Sequence, residues 1–132
     1  MRRIVLGSMI VAALIAASVP LMAHHSFAAE FDSTKSLKMT GVVTKIDWTN
    51  PHVWFYIDVK DEAGKVNNWG FEMGPPHLLQ GQGWTRTTMK LGDTVTVQGT
   101  AAKNGSNRGN ARSVTTPDGK RLGAASSEGQ QQ

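Results

Sequence analysis

Between residues 38 and 60 the chain reads KMTGVVTKIDWTNPHVWFYIDVK, and its apolar and polar positions recur with a period of two. Val42, Thr44, Ile46 and Trp48 fall on one side of an extended segment, with Val43, Lys45 and Asp47 on the other. After a Thr49-Asn50-Pro51 corner, Val53, Phe55, Ile57 and Val59 alternate with His52, Trp54, Tyr56 and Asp58. That period puts each set on one face of a sheet, and it predicts two strands with the all-apolar set buried. The opposite face of the second strand carries an imidazole, an indole, a phenol and a carboxylate in a row.

The remaining pattern is also one of short strands and turns. Residues 24–36 show no sustained period, but Phe27 and Phe31 stand at i, i+4 and predict an arm that packs on the domain. The first strand is expected over residues 37–48, with Gly41 marking a bulge or bend. Asp61-Glu62-Ala63-Gly64-Lys65 is a polar hairpin loop in which Gly64 suits positive φ. A third strand follows over residues 66–73, with Trp69, Phe71 and Met73 inward and Asn68, Gly70 and Glu72 outward. Gly74-Pro75-Pro76 ends it and opens a short helix over residues 75–80, stopped by Gly81. Strands four and five are expected over residues 94–101 and 111–116, separated by the Gly/Asn-rich loop at 103–110. From Gly123 onward GAASSEGQQQ has little to bury and reads as a disordered tail.

Three strands, a short helix and two more strands predict an all-β domain, a small five-stranded OB-like barrel over residues 37–122 with one short helix between strands 3 and 4. An antiparallel meander or sandwich is the alternative. Closure into a barrel would also remove the exposed edge that a long apolar strand otherwise presents.

Composition changes the picture at the chain start. Met1-Arg2-Arg3 is followed by an apolar, Ala-rich run to Val19 and then Pro20-Leu21-Met22-Ala23, the three parts of a secretory signal peptide. Cleavage after Ala23 is expected, leaving residues 24–132 in the periplasm or outside the cell with no stable membrane anchor. Removal of Arg2 and Arg3 takes two of the 14 basic residues, set against 10 acidic ones. A nearly neutral mature chain argues against nucleic acid as a partner. There is no cysteine, so neither disulfides nor thiol chemistry is available.

The chemistry that the chain does offer lies in its four histidines, His24, His25, His52 and His77. After cleavage, His24 would present its α-amine and its imidazole Nδ1 to one metal ion, and His52 at the Asn50-Pro51 corner is the preferred third nitrogen. His25 and His77 are further candidates. Amine and imidazole nitrogens suit copper(II), nickel(II) or zinc. The arrangement resembles the histidine brace of copper enzymes, with only the terminal histidine matching by position. Surface histidines with no metal are the plainer alternative. The row Trp54, Tyr56 and Asp58 beside His52 is a candidate ligand face, on which a sugar or a peptide would stack. Catalysis without metal has little support, because the carboxylates stand mostly beside turns and Ser26 next to His25 has no third group to orient a base. The chain therefore reads as a binding module and not as an enzyme.

Two resemblances add to this reading. Met39, Met73 and Met89 with Trp48, Trp54, Trp69 and Trp84, carried by GVVTKID, WGFEM and LGDTVTVQG, resemble the periplasmic copper(I) chaperones of the Cus efflux system. That implies a small β-barrel binding copper through thioethers, a histidine and a tryptophan. The segments AHHSFAAEFD, TGVVTKIDWTNPHVWFYIDVKD, WGFEMG, GWTRTTMKLGD and GNARSVTTPDGKRL resemble an uncharacterised family of small exported bacterial proteins, which implies export and one β-domain but no catalytic residue. The expected function is metal binding, with copper as the candidate ion, in carriage, buffering or support of a periplasmic metalloenzyme. The alternative is a metal-free adaptor whose aromatic face meets a protein or cell-envelope ligand.

Overall fold

A computed structural model describes residues 26–130. The segment expected to be a signal peptide, together with His24 and His25, lies outside the described residues. Helix α1 (Ser26–Glu30) leads directly into strand β1 (Phe31–Asp47), followed by β2 (Trp54–Lys60), β3 (Val66–Glu72), helix α2 (Pro76–Gly81), β4 (Thr94–Ala102), β5 (Arg108–Thr115), β6 (Arg121–Gly123) and a 3-10 turn, η1 (Ser127–Gln130).

The strands form one sheet in the order β3-β2-β1-β4-β5-β6, and a further parallel pairing of β3 with β5 joins the two sides into a barrel-like ring. This is the strand order of an OB-type barrel, as the alternation and the interposed helix predict. β6 is an addition, a short strand antiparallel to β5 through Val114 opposite Leu122. Three residues with a single apolar side chain carry no readable period, so it has no signature in the sequence.

β1 is long because it serves two partners. Its first part pairs with β4, from Phe31 opposite Ala102 to Val42 opposite Thr94, and its last part pairs with β2, from Val42 opposite Asp58 to Asp47 opposite Trp54. It thus takes in residues 31–36, which the sequence pattern assigns to the arm. The bulge lies between Val43 and Lys45, not at Gly41. An extra residue there shifts the side-chain phase, so Val43 is buried before it and Ile46 and Trp48 pack on the core after it. Val42, expected to share a face with Ile46, is 42% exposed. Gly41 answers a different need: a Cβ there would lie 2.5 Å from the Asp58 carbonyl oxygen.

β2 follows its pattern without interruption. Val53, Phe55 and Ile57 are fully buried, with Phe71, Val95, Val97 and Val114 from the neighbouring strands. The segment around α2 adds Leu79 and Trp84 to this core. Trp84 is buried and its indole Nε1 donates to the Gly123 carbonyl at 2.8 Å, so the largest core side chain also holds the end of β6. The chain beyond Gly123, expected as a disordered tail, runs on as ordered structure to Gln130. Ala124 is fully buried, accepts from the Gly74 N–H at 2.9 Å and donates to the Arg112 carbonyl at 3.0 Å. Arg112 then clasps Glu128 through Nε and Nη2 at 2.5 and 2.6 Å. Backbone pairing and one two-pronged ion pair secure a segment too poor in apolar residues to advertise itself.

These contacts predict the response to change at Trp84. Trp84→Phe keeps most of the apolar volume but leaves the Gly123 carbonyl without its donor, and should cost roughly 1–3 kcal/mol. Trp84→Ala should cost about 3–5 kcal/mol. Urea unfolding of the two variants checks the order and size of these losses, and the Phe variant should additionally expose the tail to proteolysis.

Candidate functional site

The fully buried Val53 fixes the entry to β2. Its N–H donates to the Gly74 carbonyl at 3.2 Å, and its carbonyl accepts from the Met73 N–H at 2.8 Å. His52, the preceding residue, is thereby held against the end of β3, and its Nδ1 lies 3.2 Å from Glu72 Oε1. The Asn50-Pro51 peptide before it is cis. With Nδ1 turned to the carboxyl group, Nε2 is the ring nitrogen left for another partner.

Glu72 is where the structure departs most from the sequence pattern. Alternation puts it outward, yet it is only 8% exposed. It stands opposite Trp54 on β2 and opposite Asn110 on β5, the residue that ring closure brings to it. Asn110 is buried, its Nδ2 donates to Glu72 Oε1 at 3.5 Å, and its Oδ1 accepts from Ser126 Oγ at 2.5 Å. A polar chain thus runs His52, Glu72, Asn110, Ser126 through this end of the domain. Burial pushes the Glu72 carboxyl up to about 7, and the charge of Glu30 pushes in the same direction against the opposing effects of Arg108 and the Asn110 hydrogen bond. The group therefore changes charge near neutral pH.

The row beside His52 is directed outward, and each member is engaged by a neighbour. The Arg108 guanidinium lies 4.4 Å from the centre of the Trp54 ring. Lys45 Nζ lies 5.2 Å from that of Tyr56. Asp58 accepts from Asn68 Nδ2 at 2.9 Å. Phe27 and Phe31, with ring centres 5.4 Å apart, form a small cluster with Ala102, against which Trp54 packs. The Lys103 N–H donates to the Glu30 carbonyl at 2.8 Å and secures the end of α1. The arm therefore lies over Trp54. A cleft of about 250 Å³ opens beside it, with Glu30, Phe31, Trp54, Lys103, Ser106 and Arg108 among its walls.

The other expected ligands are not gathered here. His77 is exposed on α2 with no hydrogen-bond or ion-pair partner among the described residues. Met73 and Met89 are buried in the main core with Trp84, and Met39 packs against the same core. Among the described residues no three His, Asp or Glu side chains converge as a metal cluster. Sequence reasoning missed Glu72, Asn110 and Arg108. The one legible signal was Glu72 itself, a carboxylate inserted between two core residues, Phe71 and Met73.

A family of unknown function, DUF6152, matches residues 12–112 of the chain. No curated protein and no solved structure matches it.

The raised pKa of Glu72 has a defined consequence for stability. In the unfolded chain the carboxyl titrates at about 4.5 and in the folded chain at about 7. Between those values the folded state binds more protons, so stability falls as pH rises through this window and levels off above it. Glu72→Gln should flatten that part of the profile. Chemical denaturation of both proteins at a series of pH values measures it, and a wild-type curve that rises across the window would contradict the buried carboxyl.

Proposed function

We propose that this chain, which belongs to the DUF6152 family of unknown function, is an exported metal-binding module that holds a copper ion between His52 and its processed N-terminus. The observation that carries this reading is the His52–Glu72 pair, 3.2 Å apart. Metal-binding histidines ordinarily donate their second ring nitrogen to a carboxylate or carbonyl, which fixes the tautomer and aims the first at the ion. Glu72 stands in that position to His52, leaving Nε2 as the donor.

The remaining nitrogens would come from His24, through its α-amine and ring, with His25 and His77 as further candidates. The arm supports this arrangement. Phe27 packs in the same cluster as Trp54, which is two residues along the chain from His52. From Ser26, two residues of extended chain span at most about 7 Å, so the reading requires the His52 ring to lie within that reach of the start of α1. In this reading the AHHSF and TNPH segments supply the two halves of one site. The protein would carry or buffer the ion, or serve a periplasmic metalloenzyme. The copper(I) thioether alternative is weaker, because Met73 and Met89 lie in the core.

The adaptor reading has one observation in its favour. Trp54 and Tyr56 present aromatic rings already paired with Arg108 and Lys45, a surface suited to an acidic partner.

Copper(II) titration of the exported protein, its start verified by intact mass, separates these readings. Trp54 is close enough to His52 for its fluorescence to report the ion. Quenching should saturate at one copper per chain. It should weaken about 10- to 100-fold in Glu72→Gln and more in His52→Ala. A single extra residue ahead of His24 should abolish the tight phase; unchanged binding there would remove the terminal amine from the site. No quenching at all would leave the adaptor reading, which predicts loss of a co-purifying partner on Trp54→Ala.

A further inference from the structure

We propose that the cleft between the end of α1 and the β4–β5 turn binds a small zwitterion, an apolar α-amino acid, independently of any metal at His52. The cleft volume of about 250 Å³ is below the ~300–1,000 Å³ of sites that take drug-sized ligands, so its occupant is small. Its walls carry three charges that have no ion-pair partner among the described residues: Glu30 from α1, Lys103 from the turn and Arg108 from the start of β5. Arg108 lies with its guanidinium over the Trp54 ring. A guanidinium presents several in-plane N–H groups, and two of them can receive a carboxylate with paired hydrogen bonds.

Ser106 borders the same cleft. Phe31, Trp54 and Ala102 line the cleft with apolar surface for a hydrocarbon side chain. Glu30 decides the class. A simple carboxylate drawn in by Lys103 and Arg108 would meet its negative charge, whereas a molecule with an ammonium beside its carboxylate satisfies both signs.

The test uses the purified full chain in EDTA, which removes metal as a route for amino-acid binding. L-leucine, L-phenylalanine, 4-methylpentanoate (leucine without its amine) and 3-methylbutylamine (leucine without its carboxylate) are titrated by calorimetry. At least one amino acid should bind with one site per chain, and both truncated analogues should bind at least about tenfold more weakly than leucine. Glu30→Gln and Arg108→Gln should each weaken amino-acid binding by a similar factor. Both residues are exposed, so unchanged thermal unfolding of these variants will show that folding is intact. In addition, Glu30→Gln should narrow the difference between leucine and 4-methylpentanoate. The proposal is overturned if neither amino acid gives heat at millimolar concentration. It is equally overturned if the amine-free acid binds as tightly as leucine, or if the two variants bind as the wild type does.

Discussion

Everything at the candidate site depends on the parallel pairing of β3 with β5, which closes the sheet. It sets Gly70 opposite Arg108, Phe71 opposite Gly109 and Glu72 opposite Asn110. The approach is close enough to require missing side chains. A Cβ at Gly109 would lie 2.9 Å from the Phe71 ring and 3.0 Å from the Thr100 carbonyl oxygen, and one at Gly99 would lie 2.1 Å from the Asn110 carbonyl oxygen. With glycine at both positions β5 settles between β3 and β4. In doing so it delivers Arg108 to Trp54 and Asn110 to Glu72, and it takes Glu72 out of water.

The parts of this arrangement that can be read from the chain are those governed by neighbours in sequence. β2 alternates without a bulge, so Val53, Phe55 and Ile57 are buried where the period puts them. The turn at Gly64, with φ of 82°, and the helix opened by the prolines follow from local backbone preference in the same way. β1 defeats the period because one extra residue after Val43 changes the phase, and a bulge leaves no mark in composition. The tail defeats it because its order comes from Arg112, Gly74 and Trp84, all distant in the chain. Glu72 is the instructive case. Its outward phase is correct for β3, but its surroundings are set by Asn110, 38 positions away, and by the charge of Glu30.

The arm links these long-range effects to the chain start. Phe27 and Phe31 are legible as a pair that packs on the domain, and together with Ala102 they form the cluster against which Trp54 packs. Because α1 passes without interruption into β1, the arm is an extension of the sheet and not a loose leader. Its apolar residues hold Glu30 in the neighbourhood of Glu72, where its negative charge helps to raise the Glu72 carboxyl. One end of the domain therefore concentrates an imidazole, two carboxylates and an arginine around a single indole.

Such a concentration is hard to explain by stability. A carboxyl whose folded pKa stands at about 7 subtracts from stability at neutral pH relative to an uncharged amide of the same shape, which could still hydrogen-bond to Asn110. The contact with His52 is an ion pair only while the imidazole is protonated and the carboxyl is not. What a carboxyl adds here that an amide would not is a negative charge 3.2 Å from His52 Nδ1, which appears as pH rises past about 7. Packing accounts for the barrel, the arm and the tail. It does not by itself account for a carboxyl buried beside His52.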